Sequence, residues 1–360
     1  MKTYPIPMVP GPVKVLPEVL ARYQEDFGSG DLETDFLDLY NLTEANLREI
    51  FCTQNRIAIQ TGEGMLALWG ALKSCILPGD RVLSVASGVF GYGIGEMAKS
   101  TGATVHTIDL PYDKTITDWT EIERVILEFR PKMITAVHCE TPSGTLNPLA
   151  ELGRLKQQHA VPLFYVDAVA SLGGAPVLTD EWSIDLALGG TQKCLSAPPA
   201  MALVAISDRA WEIIHQVNYV GYDALKPFQA AQEQFYFPYT PYWHGMAGLH
   251  TATELLLKEG LPGSFERHEK IAAFCREQIS QMGLSLFPAP DAIPSPTVTA
   301  VKVPEGIPWP ELDRRFREHG LVVGGSYGPL SGKVFRLGHM GTQADWELVN
   351  RALDVIRKVV

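Results

Sequence analysis

A single lysine, Lys193, stands in "GGTQKCLSAPPAMALVAIS" between a glycine-rich turn and two successive prolines, Pro198 and Pro199. An amine held in so stiff and apolar a frame is either an ordinary surface cation on a turn or a desolvated nucleophile whose lowered pKa lets it attack a carbonyl. Asp167 interrupts the otherwise apolar "FYVDAVASLGG". A carboxylate in such a strand needs a cation or hydrogen-bond donors beside it, and a protonated pyridine nitrogen meets that need. In "FRLGHMG", Arg336 offers a fork that matches a carboxylate.

Three further segments could position a ligand. In "QTGEGMLALWGAL", Gly62 and Gly64 flank Glu63 before a helical apolar run, and free N–H groups at such a start form an anion site. The plainer reading is a capped helix in which Glu63 complements the macrodipole. "SGVFGYGIGEM" resembles a nucleotide loop but lacks the G-x-G-x-x-G spacing. Its Phe90, just past a strand, can stack on a planar ring or simply fill core. "HCETPSGTLNPL" ends a strand in a turn where Thr141 and Ser143 supply hydroxyls, while His138 reads as a satisfied strand histidine.

These residues require a scaffold, and the chain is long enough to build one. At 360 residues it exceeds the size at which one core usually keeps growing, so two unequal domains are expected. The apolar share of 46% marks a globular chain, and a net charge of −11 without any basic run argues against nucleic acid. Cys52, Cys75, Cys139, Cys194 and Cys275 never form a C-x-x-C pair, which suggests neither a disulfide framework nor a zinc site. Prolines break the first 20 residues and no apolar run is long enough to span a bilayer, so the expectation is a cytoplasmic protein.

"RVLSVAS", "ATVHTID", "MITAVHC", "PLFYVDAV", "DLALGG" and "AMALVAI" read as strands, with "TDWTEIERVILEF" and "PLAELGRLKQQHA" as helices between them. Such alternation predicts a mostly parallel sheet covered by helices on both faces, with ligands beyond the carboxyl ends of its strands. After about residue 257 the pattern changes to helix, strand, helix, strand, helix, ending in "QADWELVNRALDVIRKVV", which predicts a smaller α+β domain. The expected division is an arm over 1–18, a large domain over 19–256 and a small domain over 257–360.

A lysine for a Schiff base, a carboxylate for a pyridine nitrogen, a helix start for a phosphate and an arginine for a substrate carboxylate are together the parts of a pyridoxal phosphate enzyme. A binding module with a structural lysine would not explain why Asp167, Lys193 and Arg336 all lie where that chemistry needs them. A nicotinamide dehydrogenase lacks its glycine fingerprint.

The segments "VPGPVKVLPEVL", "ETPSGTLNPL", "VDAVASLGG", "TQKCLSAPP" and "RLGHMG" resemble those of class V aminotransferases of fold type I, in the alanine–glyoxylate and serine–pyruvate group. The resemblance implies a transfer of an amino group between a small L-amino acid and a 2-oxo acid. It assigns Lys193 the Schiff base, Gln192 the cofactor phosphate with Gly64 and Met65, and Asp167 the pyridine nitrogen. Val169 and Phe90 take the two ring faces, Thr141 the ring hydroxyl, and Arg336 the substrate carboxylate. Thr240, in "FPYTPYWHG", matches a threonine that reaches the phosphate from a neighbouring subunit, which implies a homodimer.

Glu63 departs from the group, which carries a small hydroxyl residue there; a second anion beside a phosphate is electrostatically costly. A glutamate at that position resembles pyridoxamine–pyruvate aminotransferase, a relative that takes unphosphorylated vitamin B6 as substrate. That relative has a second carboxylate-binding arginine where this chain has Tyr327. The expectation is a conventional pyridoxal phosphate enzyme in which Glu63 turns away from the phosphate, and use of free pyridoxal or pyridoxamine as substrate is the alternative.

Overall fold

A computed structural model describes residues 3–360. The chain begins with β1 (Ile6–Met8), α1 (Pro17–Arg22) and α2 (Thr34–Ile50). It continues through β2 (Arg56–Thr61), α3 (Gly64–Cys75), β3 (Arg81–Ala86), α4 (Val89–Ser100), β4 (Thr104–Asp109), α5 (Trp119–Phe129) and β5 (Met133–Val137). A short hairpin of β6 (Cys139–Glu140) and β7 (Thr145–Leu146) precedes α6 (Ala150–Gln158), β8 (Leu163–Asp167), β9 (Leu186–Gly190) and β10 (Met201–Ile206). Helices α7 (Asp208–Val217), α8 (Ala231–Gln234), α9 (Trp243–Glu259) and α10 (Leu261–Gln281) follow. The chain closes with β11 (Val298–Lys302), α11 (Trp309–Glu318), β12 (Leu321–Gly325), β13 (Val334–Gly338) and α12 (Trp346–Val359).

The large sheet has seven strands in the order β2-β10-β9-β8-β5-β3-β4. Only β10 runs antiparallel to its neighbours. Strands β5, β8, β9 and β10 are buried along their whole length, as continuous apolar runs in a sheet covered on both faces must be. Helix α5 shows how the cover is built: Ile122, Val125 and Ile126 face inward at helical spacing, while Arg124 pairs with Glu121 and Glu128 outside.

The glycine-rich segment after β3 is helix α4 and not a loop. A Cβ on Gly91 would stand 2.9 Å from Ala86 Cα, and one on Gly95 would stand 3.0 Å from Ser84 Oγ. The glycines let α4 lie close on β3, which places Phe90 in the first turn above the strand end.

The second sheet has four strands, β1-β12-β13-β11, with its own core of residues such as Leu312, Phe316, Phe335, Leu337 and Leu353. Its edge strand β1 comes from the start of the chain and runs parallel to β12, pairing Ile6 with Leu321 and Met8 with Val323. Neither β1 nor β12 was among the strands expected from the sequence, and β2 was also missed. Among the described residues, no helix is long and apolar enough to cross a membrane.

Candidate active site

Strands β2, β3, β5, β8 and β9 run the same way, and each is followed at its carboxyl end by one of the residues singled out above. Glu63 follows β2, Phe90 follows β3, Thr141 follows β5, Asp167 ends β8 and Lys193 follows β9. They line one cavity of about 160 Å³ together with Gly64, Met65, Val169 and Gln192. Leu68, Cys139 and Ala170 also line it and were not anticipated. Thr240, Arg336 and Tyr327 are not part of its wall.

Lys193 lies in a loop closed by backbone bonds from Ser196 N to Lys193 O and from Ala197 N to Thr191 O, at 2.9 and 3.0 Å. The Thr191 hydroxyl donates to Pro198 O and accepts from Met201 N, so the two prolines are tied back to the strand end. The amine donates to the carbonyl of Pro10. Burial first, and then the Arg336 charge, push Lys193 below its ordinary 10.5. Asp167 accepts a 2.9 Å bond from Val169 N, and burial raises its carboxyl to about 6. A cation delivered to this carboxylate would find it short of positive charge.

Glu63 is both a cap and a member of the site. Its Oε1 accepts from Met65 N at 3.1 Å, closing the first turn of α3, and its Oε2 accepts from Gln192 Nε2 at 2.9 Å. The anion site at this helix start therefore already holds an anion. Gln192 Oε1 is buried without a partner among the described residues. A Cβ on Gly64 would stand 3.0 Å from Val169, so the bare backbone lets the helix start settle on the residue beyond Asp167.

Glu140 was overlooked in the sequence although it sits inside the quoted "HCETPSG". It is fully buried and accepts from Phe90 N at 3.2 Å and Gly91 N at 2.7 Å, fixing the first turn of α4. Burial raises its carboxyl to about 7, with the Asp167 charge adding to the effect. Gly88 leaves room for it, since a Cβ there would stand 2.5 Å from Glu140 Cδ. A carboxylate placed directly after a buried strand was the available signal.

His138 is buried, bonds Ser171 Oγ at 2.9 Å and lies edge-on to Trp182, and burial lowers it to about 4. It remains neutral and structural. Ser143 bonds Thr145 Oγ1 at 2.9 Å, outside the cavity.

Arg336, on β13, is almost wholly buried and donates from both Nε and Nη2 to Gly325 O. Its guanidinium lies 4.7 Å from the centre of the Tyr327 ring, a cation–π contact. Thr240 is exposed. The neighbouring Tyr239 hydroxyl accepts from Thr61 N at 3.0 Å, which ties this segment to the end of β2 beside Glu63.

The Aminotransferase class-V family pattern matches residues 13–329. The chain belongs to the class V aminotransferases.

The aminotransferase is 36% identical over 358 residues to the (S)-ureidoglycine–glyoxylate transaminase of Bacillus subtilis, covering 93% of this chain and 85% of that one. It is 33% identical over 350 residues to the pyridoxamine–pyruvate transaminase of Mesorhizobium japonicum, covering 94% and 87%. Its fold superposes on the crystal structure of an alanine–glyoxylate aminotransferase from Nostoc sp. with a TM-score of 0.95 at 29% identity, covering 100% of this chain and 96% of that one. These aminotransferases share the large helix-covered sheet and the smaller sheet domain of fold type I, and the family uses pyridoxal phosphate. The cavity fits the pyridine ring of that cofactor, because Asp167 is a buried carboxylate whose pKa burial raises and which a protonated ring nitrogen would satisfy. The phosphate fits less well, because Glu63 occupies the start of α3. Among the described residues, no group of three or more His, Cys, Asp or Glu side chains could hold a metal ion.

Proposed function

We propose that this aminotransferase takes vitamin B6 in its unphosphorylated form as the amino donor, moving the amino group of pyridoxamine to a small 2-oxo acid of the glyoxylate or pyruvate type and so forming pyridoxal and a small L-amino acid. The observation that carries this reading is Glu63, which points into the site and is held there by Met65 N and Gln192 Nε2. A hydroxymethyl group donates a hydrogen bond to such a carboxylate, whereas a phosphate meets a like charge. The alternative, an enzyme that retains pyridoxal phosphate, needs Glu63 to swing out so that Gly64 N, Met65 N and Gln192 take the phosphate, with Thr240 of the partner subunit. Tyr327, in place of a second arginine, is the feature that favours this alternative.

When bound, B6 supplies the carbonyl carbon that accepts an amine and a ring that withdraws electrons from it. Lys193 Nζ moves the proton between the substrate α-carbon and the exocyclic carbon of B6, a task that needs an amine with a lowered pKa. Asp167 holds a proton on the pyridine nitrogen. Arg336 would hold the substrate carboxylate, with Tyr327 covering one face of the guanidinium. Phe90 and Val169 hold the ring faces and Thr141 the ring hydroxyl.

We assign residues 1–18 to an arm, 19–256 to the large domain and 257–360 to the small one. We also propose a homodimer with shared sites. Thr240 is exposed and not part of its own cavity wall, and the exposed Met65, Val220, Tyr222, Tyr236 and Tyr242 would be covered by a second copy. A cytoplasmic location is consistent with five free cysteines.

The test is an absorbance spectrum and mass analysis of the purified protein, with an assay of free pyridoxamine and pyruvate. Formation of pyridoxal and alanine supports the reading. A protein that retains pyridoxal phosphate and ignores free pyridoxamine refutes it.

A further inference from the structure

The residues before the large domain do more than complete the small sheet. From β1 the chain turns across the carboxyl end of the large sheet, where Gln343 Nε2 donates to Val9 O at 2.8 Å and Lys14 N donates to Gln343 Oε1 at 3.1 Å. Val13 N then donates to Gln192 O at 3.1 Å, next to Lys193 itself. The Pro10–Gly11 peptide is thus fastened on both sides, to the small sheet by β1 and to the lysine loop by Val13. Its surroundings leave no room for side chains. A Cβ on Gly11 would stand 2.6 Å from both Lys193 Cδ and Nζ, and one on Gly338 would stand 2.4 Å from Pro10 Cα and Val9 O. A Cβ on Gly324 would stand 2.8 Å from Pro10 Cδ and 3.2 Å from Arg336 Nη2. The peptide therefore lies beside both the amine and the arginine.

We propose that the Pro10 carbonyl is a positioning group for catalysis: it holds the Lys193 amine, whenever that amine is free, at the edge of the cavity facing Arg336. A lysine stem has four rotatable bonds, and an amine that is released in each turnover must be kept within reach of the proton it moves. Asp167 accepts its hydrogen bond from Val169 N and acts on the amine through its charge, whereas Pro10 O accepts from the amine directly. Gly11 has a φ of +91°, and together with Gly338 it lets the carbonyl reach the amine. The inference rests on Lys193 being the reacting amine.

A carbonyl acceptor favours the ammonium form, so moving it away lowers the pH at which the amine becomes nucleophilic. The readout is the acetylation of Lys193 by limiting acetic anhydride against pH, quantified by peptide mass in protein freed of B6. The other groups that act on the amine are Arg336, Cys139, Cys194 and Asp167, and they are the same in every variant. Gly11→Ala pushes the amine off the carbonyl, and Gly338→Ala displaces Val9 and Pro10 without touching Lys193. Both should lower the labelling midpoint by about one pH unit, as loss of a hydrogen bond to a charged group implies. Pro10→Ala keeps the carbonyl and should leave the midpoint in place. Should one glycine variant fail to fold, the other decides. Unchanged midpoints in the glycine variants, or an equal shift in Pro10→Ala, would overturn the proposal. Borohydride trapping of B6 on a different lysine would instead refute the proposed function.

Discussion

Replacing Glu140 by glutamine should change how stability depends on pH more than it changes stability itself. In the folded protein burial raises this carboxyl from the ordinary 4.5 to about 7. Because the folded value is the higher one, the contribution to stability is complete below pH 4.5 and is lost as pH rises through 7. Each pH unit of difference is worth about 1.4 kcal/mol, so the ionised carboxylate costs the fold about 3 kcal/mol above pH 8. Glutamine keeps the volume but can accept from only one of the two N–H groups of Phe90 and Gly91. That loss, about 1–3 kcal/mol, is independent of pH. Asp167, raised from 3.8 to about 6, loses stability in the same direction in both proteins and largely cancels. Urea unfolding at pH 4.5, 6 and 8 and one protein concentration should therefore show the variant gaining about 2–3 kcal/mol relative to wild type as pH rises. Curves that run parallel across this range would refute the argument that Glu140 is held in a site where its charge is unwelcome.

Other perturbations report on the cavity and its frame. Lys193→Ala should abolish transamination, and borohydride reduction of the wild-type protein with B6 should label Lys193 alone when peptides are mapped by mass. Arg336→Ala should raise the KM of amino and 2-oxo acids by about 30-fold or more, the equivalent of losing at least about 2 kcal/mol of a buried charge pair, while the B6 absorbance band persists. Glu63→Ser should tighten pyridoxal phosphate by about fivefold, as relief of a screened like charge of about 1 kcal/mol predicts, and weaken free pyridoxamine in the same titration. Gly153→Ala puts a Cβ 1.9 Å from Trp182 O, against backbone, and should lower stability by about 1–3 kcal/mol in thermal unfolding at constant activity per folded molecule.

The central strands were legible because a sheet buried on both faces leaves an unbroken apolar signature, and Asp167 stood out as its one violation. The loops after those strands were legible for the same reason, since topology fixes where ligands bind once the strands are known. The short strands β1 and β12 were not, because "IPM" and "LVVGG" acquire their identity only by pairing with each other across the whole length of the chain. Glu140 was masked by its neighbours: "TPSG" reads as a turn, so the carboxylate that follows a buried strand drew no weight of its own. Glycine placement misled in the segment from 87 to 97, where close helix packing and loop flexibility call for the same residue. The role of Pro10 is carried by a carbonyl, which every residue has, so no side-chain pattern could disclose it.

The parallel pairing of β1 with β12 also sets an order of assembly. Residues 6–8 join a strand that spans residues 321–325, so this edge cannot close until segments more than 300 residues apart have both been made. Contacts of such long sequence separation form late because the loop they close is entropically expensive. The large sheet, complete by residue 206, has no need to wait for them. A chain folding in this order would leave Lys193 uncovered until β12 is in place, and the segment whose Pro10 carbonyl meets its amine would be among the last pieces to seat.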